Sequence, residues 1–147
     1  MKTTWPVSIA ACFIFLFLAN PAQVFAQVKI NEFVVNPNPE WVEFYNASDS
    51  ADWLKNYYLD DDENFTDDSG SSDKKILTNL NITNIHYPII ELNSFLNNGG
   101  DWVVLFDNLG NKIDSYLYQS FPGDNIATGR SPDSSGNFYI LEEGTAG

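Results

Sequence analysis

The chain has 147 residues, which suggests a single domain, and its formal net charge of −13 comes from 20 acidic and 7 basic residues. This acidity argues against binding to nucleic acid or anionic lipid, because both need contacts from Lys and Arg. The only cysteine is Cys12, so the remainder of the chain cannot form a disulfide framework, a thiolate metal site or a cysteine nucleophile.

Residues 1–26 have the features of a secretory signal peptide. A single Lys precedes an apolar run at Ile9–Ala19, and small residues occupy the positions before a cleavage site. We therefore expect cleavage after Ala26, a secreted or extracytoplasmic domain at residues 27–147, and no transmembrane anchor after cleavage. An uncleaved anchor and lipidation at Cys12 are the alternatives. The apolar run is short for a membrane span, and most of it follows Cys12, whereas in a lipidation signal the run precedes the cysteine.

Short segments of alternating apolar and polar residues follow, separated by Gly, Pro, Asn and Asp, and no stretch has a helical period. The predicted strands are 28–35, 40–46, 57–59, 75–80, 89–92, 102–106, 112–118 and 137–141. This pattern predicts an all-β, antiparallel β-sandwich. In the first strand, strict alternation places Val28, Ile30, Glu32 and Val34 on one face and Phe33 on the other.

The hairpin at residues 99–118 has the clearest pattern. Trp102–Phe106 is a run of aromatic and aliphatic residues, which predicts a strand buried on both faces. A type I turn follows, with Gly110 in the left-handed conformation of a bulged hairpin. In the returning strand, alternation separates two faces: Ile113, Ser115 and Leu117 on one, and Asp114, Tyr116 and Tyr118 on the other.

The segment 60–75 is acidic and rich in Ser and Gly, and we expect an exposed loop. It carries oxygen ligands at the spacing of a calcium-binding EF-hand loop, at Asp60, Asp62, Asn64 and Asp68. Phe65 stands where that loop needs Gly, and Ser71 where it needs Glu, which excludes a high-affinity site. The residues predict at most a weak calcium site, of the millimolar affinity found in extracellular modules, with a solvated loop as the alternative. No other cofactor is expected.

Five segments, in order along the chain, resemble the lamin-tail domain in its bacterial and archaeal secreted form: VKINEF, EWVEFYN, WLKNYYLDD, LNNGGDWVVLFDNLGNKIDSYLY and TGRSPD. The resemblance covers residues 28–141 and implies an immunoglobulin-like β-sandwich. It also implies a module without a catalytic centre that has a structural role or binds a protein or a cell-envelope component. The acidic loop has more carboxylates than the family pattern requires.

Glu32 and Glu43 stand among apolar neighbours, where carboxylates are unusual. A hydrolase could use such a pair as acid and base, with Asp114 as a further candidate. The simpler interpretation is that each Glu accepts hydrogen bonds and fixes the register of its strand. His86 is the only histidine, which disfavours a zinc centre or a catalytic triad. The prediction is therefore that the chain is not an enzyme.

Aromatic side chains supply the candidate contact residues. Tyr116 and Tyr118 are expected to point outward and Trp41 to be partly exposed, and such residues are enriched at protein interfaces. Packing within the sandwich is the alternative for all of them. The alternative function is a calcium- or glycan-binding module that uses the acidic loop 60–73 together with exposed aromatics. Glycosylation sequons begin at Asn46, Asn64 and Asn81.

Overall fold

A computed structural model describes residues 28–36, 38–67 and 70–145, so the predicted signal peptide lies outside the described residues. The strands are β1 (Val28–Val34), β2 (Glu40–Asn46), β3 (Tyr58–Asp60), β4 (Lys75–Ile76), β5 (Ile89–Leu92), β6 (Asp101–Phe106), β7 (Lys112–Tyr118), β8 (Thr128–Ser131) and β9 (Asn137–Ile140). They form two antiparallel sheets, a first sheet of order β5-β2-β1-β8-β9 and a second of order β4-β3-β6-β7. This confirms the predicted all-β sandwich. None of the described helices has the length and apolar character that a membrane span requires.

Strand boundaries agree with the alternation wherever alternation is strong. β2, β5 and β7 begin and end as predicted. The predicted strand 75–80 is wrong beyond Ile76, because Leu77–Asn79 forms a 3-10 turn that buries Leu77. β8 was missed, since TGRS has no apolar residue to alternate.

A β-bulge in β1 corrects the predicted faces of that strand. The pairing with β2 shifts between Ile30 and Glu32, so Asn31 is the extra residue. Ile30 and Phe33 therefore both point into the core, whereas Glu32 lies opposite Glu43 on the outer face. Strict alternation had placed Phe33 on the opposite face from Ile30, and a bulge reverses alternation from that point onward.

The core lies between the inner faces of the two sheets. It is built mainly from aliphatic and phenylalanine side chains, including Ile30, Phe33, Val42, Phe44, Ile90, Leu92, Leu59, Val103 and Leu105. Because β6 is central in its sheet, Val103 and Leu105 are fully buried against the first sheet. Val104 and Phe106 point the other way and are buried as well. The prediction that this strand is buried on both faces is confirmed.

Most of the described residues of the acidic segment 60–75 are exposed, as predicted, but the segment is anchored to the outer face of the second sheet. Phe65 packs against Tyr58 and Phe106, with ring centroids 5.3 and 5.2 Å apart. Asp61 is buried, and its Oδ2 accepts hydrogen bonds from Ser71 Oγ (2.6 Å) and Ser72 N (2.9 Å). The sequence pattern overlooked one aromatic residue in a polar segment, and that residue anchors the segment to the sheet.

Candidate functional site

An ion pair joins the two sheets beside the β1 bulge. Arg130 Nη2 lies 2.8 Å from Asp114 Oδ2 and 3.0 Å from Oδ1, and both side chains are largely buried. Asp114 Oδ2 also accepts from Ile30 N (3.0 Å), and Arg130 Nε donates to Ile30 O (2.8 Å). β8 pairs with β1 only at Glu32 and Phe33. The ion pair therefore satisfies backbone groups that the ladder leaves unpaired, and this places Asp114 in a structural contact.

Glu32 and Glu43, the other carboxylates considered for catalysis, are each only 2% exposed. Glu32 accepts from Thr145 N (2.7 Å) and Thr145 Oγ1 (2.5 Å), so it holds the C-terminal segment across the first sheet. Glu43 Oε1 accepts from the bulged Asn31 Nδ2 at 2.9 Å. Both carboxylates accept hydrogen bonds that fix neighbouring segments, which agrees with the simpler interpretation of these residues.

The predicted calcium ligands occupy unlike environments. Asp60 is fully buried in β3, opposite Val104. Asp62 Oδ1 accepts from Asn64 N (2.9 Å), and Asn64 Oδ1 accepts from Thr66 N (3.3 Å) and Thr66 Oγ1 (3.0 Å). Asp68 lies outside the described residues. Across the described ranges, no three His, Cys, Asp or Glu side chains form a group that could hold a metal ion. Weak calcium binding stays a prediction.

Tyr116 and Tyr118 face inward, so their predicted outward orientation is wrong. Phe33 packs against both, with ring centroids 6.0 and 5.4 Å apart. Tyr118 is only 4% exposed, and its hydroxyl donates to Asn97 O at 2.7 Å. β7 closes the sandwich beside β1, and the face that carries its tyrosines is therefore the core face. Tyr118 therefore offers no surface to a partner, and Tyr116 is only partly exposed.

The hydroxyl of Tyr118 lies in an acidic environment at one end of the second sheet. Burial raises its pKa, and the nearby charges of Asp101, Glu40 and Asp61 raise it further. Burial also raises the pKa of Asp101, despite hydrogen bonds from Asn97 and the backbone of Trp102 that lower it. Glu40 caps the backbone, because its Oε2 accepts from Phe95 N and Leu96 N at 2.9 and 2.8 Å. The carboxylates of Asp101 and Glu40 therefore accept hydrogen bonds that shape the loop before β6.

β9 forms an edge of the first sheet, and β8 is the one described strand that pairs with it. Leu141 N donates to Ala127 O at 2.8 Å. Alternation along an antiparallel ladder then directs the backbone of Tyr139 toward β8, and the N–H and C=O groups of Phe138 and Ile140 away from it. Tyr139 is 53% exposed and Ile140 is 70% exposed. This edge carries no charged side chain.

The other sheet edges are short or are partly covered by neighbouring backbone. At the β5 edge, Asn81 forms a bridge with Ile89, with backbone distances of 2.8 and 3.0 Å. β7 lies beside β1 through the Asp114 contact with Ile30 N. β4 has only two residues. Among the described edges, β9 is therefore the one suited to a further strand.

Trp41 remains a candidate contact residue, since it is partly exposed as predicted. It lines a groove of about 460 Å³ on the outer face of the first sheet, beside Asn79, Asn81, Ile89, Glu91 and Asn93. Trp41 and Glu91 are direct cross-strand neighbours. This groove lies on a different sheet from the acidic loop.

Sequence reasoning did not identify the β9 edge or the asparagines of the groove. The segment NFYI does predict a strand, but its position at the end of a sheet depends on pairing order, which alternation does not contain. The three groove asparagines occur in turns and at a strand end, where Asn is ordinary. Trp41 was the only signal in the sequence for that groove.

In a comparison with family models, the Lamin Tail Domain model matches residues 21–120. The matched stretch is more than half of the chain and includes β1 to β7, while β8 and β9 lie beyond it. Comparisons with curated proteins and with solved structures gave no match.

Proposed function

The chain belongs to the lamin tail domain family, and on that premise we propose that it is a secreted, non-catalytic module that binds a protein of the cell envelope. The partner contributes an extended segment that adds as a strand to β9. Secretion is supported by the signal-peptide features of residues 1–26. The immunoglobulin-like fold of the family accommodates such an interface at a sheet edge.

The open edge of β9 is the observation that carries this proposal. Its outward N–H and C=O groups supply the main-chain hydrogen bonds of strand addition, and the exposed Tyr139 and Ile140 supply apolar contacts. Natural edge strands are commonly protected by Lys, Pro or a bulge, and β9 has none of these. An uncharged edge on a chain of charge −13 also avoids repelling an acidic partner at the point of contact.

The non-catalytic part of the proposal rests on how the candidate carboxylates are used. Glu32 holds the C-terminal segment, Glu43 holds the bulge, and Asp114 pairs with Arg130. His86 Nδ1 lies 3.0 Å from Asn46 O. Glu32 and Glu43 are direct cross-strand neighbours, but each accepts hydrogen bonds from a different segment of the chain. Asp114 lies at the junction of the two sheets.

The test compares two substitutions at one edge position. Ile140→Pro removes an outward N–H while leaving the hydrogen bonds to β8 in place, because Pro is tolerated at such edge positions. Ile140→Ala keeps the N–H and is the matched control. The immobilised protein is used to capture envelope proteins from the organism that encodes the chain, and each captured protein is purified and its affinity measured directly.

We expect a purified partner to bind the wild type and Ile140→Ala, and to bind Ile140→Pro at least about tenfold more weakly, since one or two main-chain hydrogen bonds are lost. Equal binding of Ile140→Pro and wild type would refute strand addition at β9. The absence of any envelope protein that binds the wild type would refute the proposed function itself.

A further inference from the structure

The Trp41 groove has the composition of a binding site for an uncharged, hydroxyl-rich ligand. One indole ring lies beside three asparagine side chains, one carboxylate and Ile89. Aromatic faces stack on the apolar faces of sugar rings, while amides donate to and accept from hydroxyl groups. The groove volume of about 460 Å³ falls within the range for small-molecule sites.

The asparagine side chains that line the groove retain hydrogen-bonding capacity. Asn79 and Asn93 are exposed, and neither side chain bonds to another described residue. Asn81 Oδ1 accepts from Thr83 N (3.0 Å) and Thr83 Oγ1 (2.8 Å), which fixes the amide and leaves its Nδ2 to donate. The groove therefore offers donors and acceptors without first breaking protein contacts.

The indole ring is held in place before a ligand arrives. Trp41 stands on the regular β2–β5 ladder, directly opposite Glu91. On another side, the C-terminal segment packs against the ring, since a Cβ added at Gly144 would lie 2.6 Å from Trp41 Cζ2 and 3.4 Å from Val34 Cγ2. A ring restrained in this way loses little conformational entropy on binding.

The negative charge of the groove favours neutral sugars over anionic ones. Of the residues that line the groove, Glu91 is the only charged one, and the whole chain is strongly acidic. Phosphorylated, sulfated or uronic-acid sugars would meet a negative charge with no Lys or Arg to pair with. From these features we infer that the Trp41 groove binds neutral glycans. This inference concerns a surface other than the β9 edge, and the two can fail independently.

The experiment is an NMR titration of the protein with three neutral oligosaccharides, cellotriose, chitotriose and mannotriose, and with the anionic trigalacturonate. Concentrations extend to about 10 mM, so that dissociation constants in the millimolar range are detected. Trp41→Ala removes the stacking ring and Asn79→Ala removes one exposed amide. Asn108→Ala, in the β6–β7 turn, is the matched control, because Asn108 is an exposed asparagine far from the groove.

We expect at least one neutral trisaccharide to shift resonances of the groove residues, and trigalacturonate to have no effect. Trp41→Ala should abolish the shifts, and Asn79→Ala should weaken binding about fivefold, as for one lost hydrogen bond. Asn108→Ala should bind as the wild type does. Because the Asn79 side chain is exposed, its removal leaves the fold intact and keeps the test informative if Trp41→Ala is unstable.

Three results would overturn the inference. They are the absence of shifts with every neutral sugar, binding that is unchanged in Asn79→Ala, and binding of trigalacturonate as strong as that of the neutral sugars. Shifts confined to residues of the acidic loop would likewise place sugar binding elsewhere.

Discussion

The Arg130–Asp114 pair replaces ladder hydrogen bonds at the β1 bulge, and its loss should be costly. Arg130→Met keeps the length of the side chain but leaves Asp114 charged and unpaired in a largely buried position. We expect the free energy of unfolding to fall by about 3 kcal/mol. Urea unfolding measures the change.

The exposed pair of Lys55 and Asp52 provides the control for this measurement. Its side chains lie 3.1 Å apart, with 36% and 75% of their surfaces exposed. Lys55→Met should cost under about 1 kcal/mol, because exposed ion pairs contribute little. If Arg130→Met and Lys55→Met lowered the free energy of unfolding equally, Arg130 would not bridge the two sheets.

Asn46 begins a glycosylation sequon, which implies an accessible side chain, but the structure buries that side chain. Its side chain is fully buried, and Nδ2 donates to three carbonyl oxygens, those of Ser48 (3.3 Å), Ser50 (3.0 Å) and Ile85 (2.8 Å). Asn46→Asp would turn an oxygen toward the same carbonyls. We expect a loss of stability of roughly 2–3 kcal/mol, since a buried set of acceptors loses its donor.

The exposed Asn64 is the matched control for Asn46. Asn64→Asp retains the Oδ1 that accepts from Thr66, and we expect a change of less than about 0.5 kcal/mol, as for most surface substitutions. Thermal unfolding of Asn46→Asp and Asn64→Asp measures both changes in stability. If Asn46→Asp left the stability unchanged, this end of β2 would be open to water.

At the level of elements, the β6–β7 turn and the acidic loop should be coupled through one contact. Gly110 has φ +81°, and a Cβ there would clash with the ring of Phe65. Gly110→Ala should therefore cost more than the roughly 1 kcal/mol expected from the positive φ alone. In a Phe65→Ala background the clash disappears, and only the backbone cost should remain.

A double-mutant cycle of Gly110→Ala and Phe65→Ala measures this coupling by chemical unfolding. We expect a coupling energy of about 1 kcal/mol or more, as for residues in contact. Additive effects would show that Phe65 does not hold the loop on the outer face of β6. Limited proteolysis supplies a second readout, because Phe65→Ala should make the loop easier to cleave.

At the scale of the whole molecule, two aspartates should make stability depend on pH in opposite directions. Asp101 should stabilise the fold more at low pH, and Asp107 more at high pH. The folded state raises the pKa of Asp101 above 3.8, through burial and the charge of Asp61. The stability that Asp101 contributes is therefore fully present below pH 3.8 and is lost as the pH rises through the folded pKa. Relative to Asp101→Asn, the wild type should lose stability as the pH rises above 3.8 and through the folded pKa of Asp101.

Asp107 provides the opposite case. Burial raises its pKa, but hydrogen bonds from Asn111, Leu109 and Gly110 outweigh this and lower it below 3.8. Its contribution is present above 3.8 and is lost as pH falls through the folded pKa, so the wild type should lose stability relative to Asp107→Asn under acid. Unfolding free energies across this pH range test both signs. If stability relative to the Asn variant changed in the same direction with pH at Asp101 and at Asp107, the two pKa shifts could not be opposite.

The sequence predicted the fold far better than the surfaces. Period-2 alternation located β2, β5 and β7, because each has a polar and an apolar face. It failed at the β1 bulge, where one extra residue moved Phe33 inward and Glu32 outward. It also failed for Tyr116 and Tyr118, because alternation separates two faces without indicating which one is covered.

The candidate sites depend on information that arises only when strands pair. Among the described strands, the order β8-β9 leaves one edge open, and the approach of Asn81 to Ile89 covers part of another. Likewise, the groove joins Trp41 to asparagines more than thirty residues away along the chain. Local patterns contain neither the pairing order nor these distances, so β9 and most of the groove could not be predicted from the sequence.

The central claim is that β9 is an open edge, and amide hydrogen exchange resolved by residue tests it most directly. In the free protein, the amides of Tyr139 and Leu141 should be protected by β8, whereas those of Phe138 and Ile140 should exchange rapidly. Protection should therefore alternate along these four consecutive residues. Equal protection of all four amides would show that the edge is already covered, and would contradict the claim.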